Sequence, residues 1–210
     1  MRVVAVAGTG TDVGKTFVAA RVLRTLRERG YEISARKPVQ SFSPGDASTD
    51  ADELARATGA DANTVCPPHR WLPVPLAPPM AAEALDLPPF TVLDLATEVT
   101  AGLPDRACVL VETAGGVRSP IAADGDCVDL IDALAPAIVV LVADAGLGTI
   151  NAVRLSVDAL PSRRVVVYLN RFDAECDLHR RNLEWLTARA GFEVTTEIAH
   201  LARLVELVCG

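Results

Sequence analysis

A chain of 210 residues, half of them hydrophobic, 22% charged and 4% aromatic, excludes a disordered tail or a fibrous repeat and reads as one globular domain. Such a length buries roughly two-thirds of the surface exposed by the unfolded chain, so no disulfide or metal staple is required. With 27 acidic against 20 basic residues and a net charge of −7, a polyanionic partner such as nucleic acid is disfavoured.

The opening MRVVAVAGTG is too short an apolar run for a secretory signal. No stretch reaches the roughly 18 uncharged apolar residues that a bilayer requires, so a cytoplasmic protein without a membrane partner is expected. Cys66, Cys108, Cys127, Cys176 and Cys209 stand singly, without metal-ligand spacing. They read as small buried hydrophobes, with neither a zinc site nor a disulfide framework expected.

In chain order, residues 2–7 form a short aliphatic run of the kind buried on both faces of a parallel sheet, followed by a helical pattern over 15–29. A second strand precedes Lys37, and a helix is predicted over 50–58. Residues 67–89 hold eight prolines and read as an irregular connection crossing over the site or supplying a dimer contact, rather than as a linker between domains. Beyond it lie a helix over 91–101, strands over 107–112, 137–143 and 165–169, and helices over 151–160 and 175–190. This alternation predicts an α/β fold of the P-loop type: a single-domain, three-layer sandwich whose mainly parallel sheet is covered by helices. In such sheets ligands sit outside the carboxyl ends of the strands.

The first such end carries Gly8-Thr9-Gly10-Thr11-Asp12-Val13-Gly14-Lys15-Thr16. Glycines let backbone amides surround phosphates, Lys15 neutralises them, and the Thr16 hydroxyl suits a magnesium ion at a helix N-terminus. Thr9 stands at the first glycine position of the usual G-x-x-x-x-G-K-[ST] pattern, flanked by Gly8 and Gly10. Other polar residues also fall at strand ends. Lys37 lies in Arg36-Lys37-Pro38-Val39-Gln40-Ser41, Asp50 and Asp52 open a helix, and Glu112 ends a buried strand ahead of Thr113-Ala114-Gly115-Gly116. A carboxylate closing such a strand is a natural magnesium ligand. Each has a plainer reading: Lys37 a solvated cation, Asp50 a helix cap, Glu112 a carboxylate at the sheet's rim.

Taken in order, the loop at 8–16, K-P-V at 37–39 with Ser41, E-x-A-G-G at 112–116, G-x-x-N at 148–151, Pro75 and Pro78, and Asn170 at a strand end resemble the dethiobiotin synthetase family. Members of that family build a ureido ring from 7,8-diaminononanoate, CO2 (or bicarbonate) and ATP. The resemblance implies that Asp12, Val13, Gly14, Lys15, Thr16 and Phe17 hold the triphosphate, with Thr16, Asp50 and Glu112 around Mg2+. It places Lys37 as the principal catalytic cation, assisted by Lys15 and Thr11. Thr113, Ala114, Gly115, Asn170, Arg171 and the segment Ala199, His200 and Leu201 are implied near the nucleotide. Thr11, Lys37, Ser41 and Gly116 would meet the diamine end of the substrate. Leu147, Gly148, Thr149, Ile150 and Asn151 would receive its carboxylate across the interface of a homodimer with shared sites.

Departures from the family pattern accompany these matches. Thr113 replaces a frequent glycine, which matters only if that position has positive φ or its Cβ crowds a phosphate. Ala77, Pro79 and Ala152 stand where Ser, His and His are frequent, and Ala199 replaces a proline near the base. Two other readings share the architecture. A partitioning ATPase of the ParA and MinD kind normally adds a lysine early in the loop and a basic C-terminal helix, absent here. A corrinoid amidoligase is normally joined to a glutamine amidotransferase domain, for which 210 residues leave no room. His69, His179 and His200 lack metal-ligand partners, and Trp71 and Trp185 read as packing residues.

Overall fold

The computed structural model describes residues 1–210. Its chain runs β1 (Arg2–Gly8), α1 (Lys15–Glu28), β2 (Ser34–Arg36), β3 (Gln40–Ser41), α2 (Asp50–Thr58), α3 (Ala62–Val65), β4 (Trp71–Leu72), α4 (Pro78–Ala84) and α5 (Val92–Thr100). It continues through β5 (Cys108–Glu112), β6 (Pro120–Ala122), β7 (Gly125–Asp126), α6 (Cys127–Leu134), β8 (Ile138–Asp144), α7 (Thr149–Asp158), β9 (Val165–Asn170), α8 (Asp177–Glu184), β10 (Glu193–Thr195) and α9 (Ile198–Cys209).

Six strands make one sheet in the order β10-β9-β8-β1-β5-β2, and every pairing in it is parallel. Central β1 alternates between the two faces. Val4 and Val6 pack with Val18, Leu23 and Leu26 of α1 and Leu201 and Val205 of α9, whereas Ala5 and Ala7 face Ile131 and Val153 on the other side. Because both faces are covered, the strands carry continuous aliphatic runs instead of alternating ones. The layered α/β architecture expected from the sequence is therefore the one observed. No helix is long and apolar enough to cross a membrane.

The structure corrects the reading of residues 67–89. That stretch contains a 3-10 turn (Pro68–Arg70), β4 and the seven-residue α4. Pro78 and Pro79 occupy the first positions of α4, where a proline's fixed φ suits the helix and its missing N–H is not needed. The segment as a whole still runs past the carboxyl-end cleft, which Pro75, Leu76, Ala77, Pro78 and Met80 help to line.

A second correction concerns the cysteines. Cys108 at the start of β5 and Cys209 at the end of α9 are joined by a disulfide, with Cα atoms 5.5 Å apart and a sequence separation of 101. Single spacing along the chain carried no hint of this, because the pairing arises when α9 folds back over the sheet beside α1. Cys66 and Cys127 are free and buried. The pattern over 175–190 also resolves into α8 followed by a π-helical turn, Trp185–Arg189.

Candidate active site

The phosphate loop leaves β1 in a conformation that its small residues permit. A Cβ on Gly8 would lie 2.9 Å from Cδ of Lys15, so glycine is required there, one residue before the usual position. Thr9 instead keeps its side chain and donates its N–H to Val142 O at 3.0 Å. Gly14, at φ +93°, caps α1 in the left-handed region and lies against the Asn170 amide, leaving no room for a side chain. Asn170 donates from Nδ2 to Val13 O at 2.9 Å, and the Arg171 guanidinium donates to Asp12 O at 2.8 Å and pairs with Asp144 at 2.7 Å. Asp12 and Arg171 both have positive φ, at 58° and 57°. Each is a strained position clamped by the other's contact, a pattern typical of functional loops.

Beneath the loop, three oxygen-bearing side chains and one ammonium converge. Thr16 Oγ1 lies 2.7 Å from Asp50 Oδ1 and 2.9 Å from Glu112 Oε1, with a single proton to give to one or the other. Lys37 Nζ lies 2.6 Å from Asp50 Oδ2 and 2.7 Å from Glu112 Oε1, and donates to Thr113 O at 3.3 Å. The plainer readings of these residues fail on position: Lys37 is 2% exposed, Glu112 is fully buried, and the cap of α2 is Thr49, with Asp50 the first helical residue.

Electrostatics follow from that crowding. Burial opposes the charge on Lys37, but the carboxylates of Glu112 and Asp50 outweigh it and hold the ammonium protonated above its ordinary range. Burial likewise opposes ionisation of Asp50, yet Lys37 and the Thr16 hydroxyl bring its carboxyl below the usual range. Glu112 is the group for which burial wins, raising its pKa despite Lys37. Lys15 is lowered by burial and by the like charge of Lys37, and donates to Gly10 O at 3.0 Å.

Lys15, Thr16, Lys37 and Asp50 form one wall of a cleft of about 800 Å³, lined also by Thr11, Asp12, Gly14, Ser41, Ala114, Gly115 and Arg171, with Glu112 buried behind that wall. Ser119, which the sequence did not flag, also lines it and accepts the Gly116 N–H at 2.8 Å. Val13 and Asn170 contribute to the loop from below, and Phe17 is exposed on α1 beside Arg21. Gly116 packs against the loop, where a Cβ would lie 3.3 Å from Gly10 Cα.

The Thr113 side chain is turned away from the cleft. It is fully buried, its φ is not positive, and its hydroxyl donates to Val6 O at 3.4 Å, so the position needs no glycine and the Cβ crowds nothing in the cleft. Leu201 is likewise a core side chain packed with α1 and β1, while Ala199 and His200 are exposed at the start of α9. Leu147 to Asn151 lie outside the cleft of their own chain, with Leu147 91% exposed.

The donor set fits a hard cation. Thr16, Asp50 and Glu112 offer only oxygens, and Glu112 Oε2 is buried with no hydrogen-bond partner, an orphan that a cation would satisfy. No group of three His, Cys, Asp or Glu residues converges anywhere.

A family model described as an AAA domain matches residues 2–206. The chain is 40% identical over 198 residues to an ATP-dependent dethiobiotin synthetase BioD of Haloferax mediterranei, covering 91% of this chain and 82% of that relative. It is 37% identical over 204 residues to a protein of the same name from Rhodococcus jostii, covering 94% and 86%. Among solved structures, the signal recognition particle receptor FtsY of Elizabethkingia anophelis superposes with a TM-score of 0.57 at 13% identity, spanning all of this chain and 65% of that one. The 54 kDa signal recognition particle protein of Aeropyrum pernix, in complex with GDP, gives 0.52 at 17% identity over all of this chain and 46% of that one. At such identities the likeness concerns the fold alone.

Proposed function

This chain belongs to the ATP-dependent dethiobiotin synthetase family, and we propose that its cleft closes a ureido ring on 7,8-diaminononanoate using CO2 and ATP. The observation that carries this reading is the buried Lys37–Glu112 pair, met by Asp50 and Thr16 at the cleft surface and set directly behind the Lys15 loop. An ATP-dependent ligase needs both a phosphate cradle and a cation facing the atom that receives the phosphoryl group, and the two are adjacent here.

In this account the loop amides from Asp12 to Thr16 and the Lys15 ammonium hold the triphosphate. Thr16, Asp50 and Glu112 are the residues that would hold magnesium. When bound, the metal neutralises charge building on the phosphate oxygens. A substrate amine captures CO2 as a carbamate and releases a proton. Lys37 and Lys15 draw the carbamate oxygen and the terminal phosphoryl group together, so that the oxygen attacks phosphorus in line and ADP leaves. The second amine then attacks the carbonyl carbon of the mixed anhydride and gives up a proton. The ring closes, and phosphate departs with the former carbamate oxygen.

Thr11, Ser41 and Gly116 are proposed to meet the diamine end. For the substrate carboxylate we propose the start of α7 in a partner copy, making the active unit a cytoplasmic homodimer. Two observations support this: Gly148 caps α7 at φ +91° with no side-chain cap, and the adjoining Thr149 Oγ1 is buried without a partner. Both suit an anion at the positive end of a helix. The oxygen bookkeeping supplies the test. With 18O-labelled bicarbonate, the phosphate released should carry label from CO2; unlabelled phosphate formed alongside a ureido product would refute the carbamate attack.

A further inference from the structure

Gln40 takes no part in the chemistry above, yet it is 2% exposed and makes two side-chain hydrogen bonds. Its Oε1 accepts the Ala51 N–H at 2.9 Å, and its Nε2 donates to Thr49 Oγ1 at 3.3 Å. Thr49 and Ala51 are the chain neighbours of Asp50 on either side, so one carboxamide grips the backbone turn that presents this carboxylate.

The need for such a grip follows from helix geometry. The first N–H groups of a helix have no intrahelical acceptor, and the buried Ala51 N–H is one of them. Thr49 as the cap cannot serve it, because its hydroxyl is already committed. That oxygen accepts from Asp52 N at 3.3 Å and from Gln40, and donates to the Asp52 carboxylate at 2.8 Å, which exhausts one donor and two acceptor positions. Gln40 is held in turn by β3, which pairs in register with β4 through Gln40 and Trp71. Its chain neighbour Ser41 faces the same cleft as Asp50.

We infer that Gln40 is the positioning residue for Asp50 as a metal ligand: its carboxamide fixes the first turn of α2 so that Asp50 meets Thr16 and Lys37 at the phosphate end of the cleft. This rests on reading Asp50 as part of the magnesium set. Gln40 itself lines the cleft beside Ser41, and its carboxamide bonds go to Thr49 and Ala51, so it acts through Asp50.

The test replaces Gln40 with Met, which keeps the volume and removes both bonds, and with Glu, which keeps the oxygen that Ala51 needs. Mn2+ binding is followed by electron paramagnetic resonance with a non-hydrolysable ATP analogue present, and analogue binding without metal is measured in parallel. Q40M is expected to weaken Mn2+ by about tenfold or more, the usual size of an outer-shell loss, with metal-free analogue affinity kept within about threefold and Q40E recovering most of the loss. Wild-type Mn2+ affinity in Q40M would overturn the assignment. So would an equal fall in both variants that tracks metal-free affinity and thermal stability, since that marks a role in folding alone. Should Q40M fail to fold, Gln40→Asn, which shortens the reach of the same amide, carries the same expectation. A wild-type protein that binds Mn2+ with the analogue but releases no diamine-dependent phosphate would sink the proposed reaction while leaving the Gln40 comparison readable.

Discussion

Lys37 and Glu112 form an ion pair at 2.7 Å in which neither side chain is more than 2% exposed. Pairs buried this deeply add little net stability, because desolvating two charges offsets their attraction. Here the pair also leaves one carboxylate oxygen, Glu112 Oε2, without a partner. Such an arrangement is better explained as one held ready for incoming phosphate and cation than as a structural staple.

Replacing Lys37 by Gln removes the cation that the proposed mechanism directs at the reacting groups, without touching the phosphate loop. Turnover is expected to fall by about 10²–10³-fold, the usual loss for one electrostatic contact made in the transition state. Nucleotide affinity, measured by calorimetry with ADP, should stay within a few-fold of wild type. Turnover close to wild type would remove Lys37 from the mechanism.

Lys15 supplies a pH dependence whose sign can be worked out. Burial and the Lys37 charge lower its pKa below the ordinary 10.5, so the folded protein releases this proton before the unfolded chain does. Stability from this group accordingly rises with pH between the lowered value and 10.5. Anion affinity moves the opposite way, because the phosphate-binding charge is lost over that window. ADP affinity should decline on raising the pH towards 10.5, and Lys15→Arg, which keeps its charge, should flatten that decline. Lys15→Ala should weaken binding at every pH, and unchanged affinity would contradict the phosphate-loop assignment.

Gly14→Ala tests the loop's shape. Its φ of +93° and the Asn170 amide where a Cβ would stand make the substitution costly in two ways, by backbone strain of about 1 kcal/mol or more and by a clash. Loss of measurable nucleotide binding with a lowered melting temperature is expected. Wild-type affinity would mean that Gly14 and Asn170 are not in contact when phosphate is held.

Much of this site was legible because its residues sit at the ends of aliphatic strands and the start of a helix, where local spacing reports position. The helix beginning at Asp50 could be read from its apolar period, but Thr49 as its cap and Gln40 behind it could not, since that contact crosses ten residues and two elements. Thr113 illustrates the opposite case. A departure at a frequent glycine looks damaging until the backbone shows that φ there is ordinary and the side chain points into the core. The Cys108–Cys209 pairing was invisible because it is set by the fold's closure, as was α4, whose two leading prolines mimic a break.

The disulfide itself makes a prediction. It closes a loop of about 100 residues, for which the chain-entropy model gives about 4–5 kcal/mol. Under oxidising conditions the denatured protein should show three free thiols, and a reducing agent or Cys209→Ser should lower the melting temperature. Five titratable thiols and a melting temperature indifferent to reductant would contradict the pairing.

Phosphate release from magnesium ATP, with and without 7,8-diaminononanoate and bicarbonate, tests the central claim most directly when mass spectrometry follows the organic product. Phosphate release should require both additions and be matched mole for mole by a cyclic urea. ATP turnover indifferent to the diamine, or phosphate without that product, would contradict it.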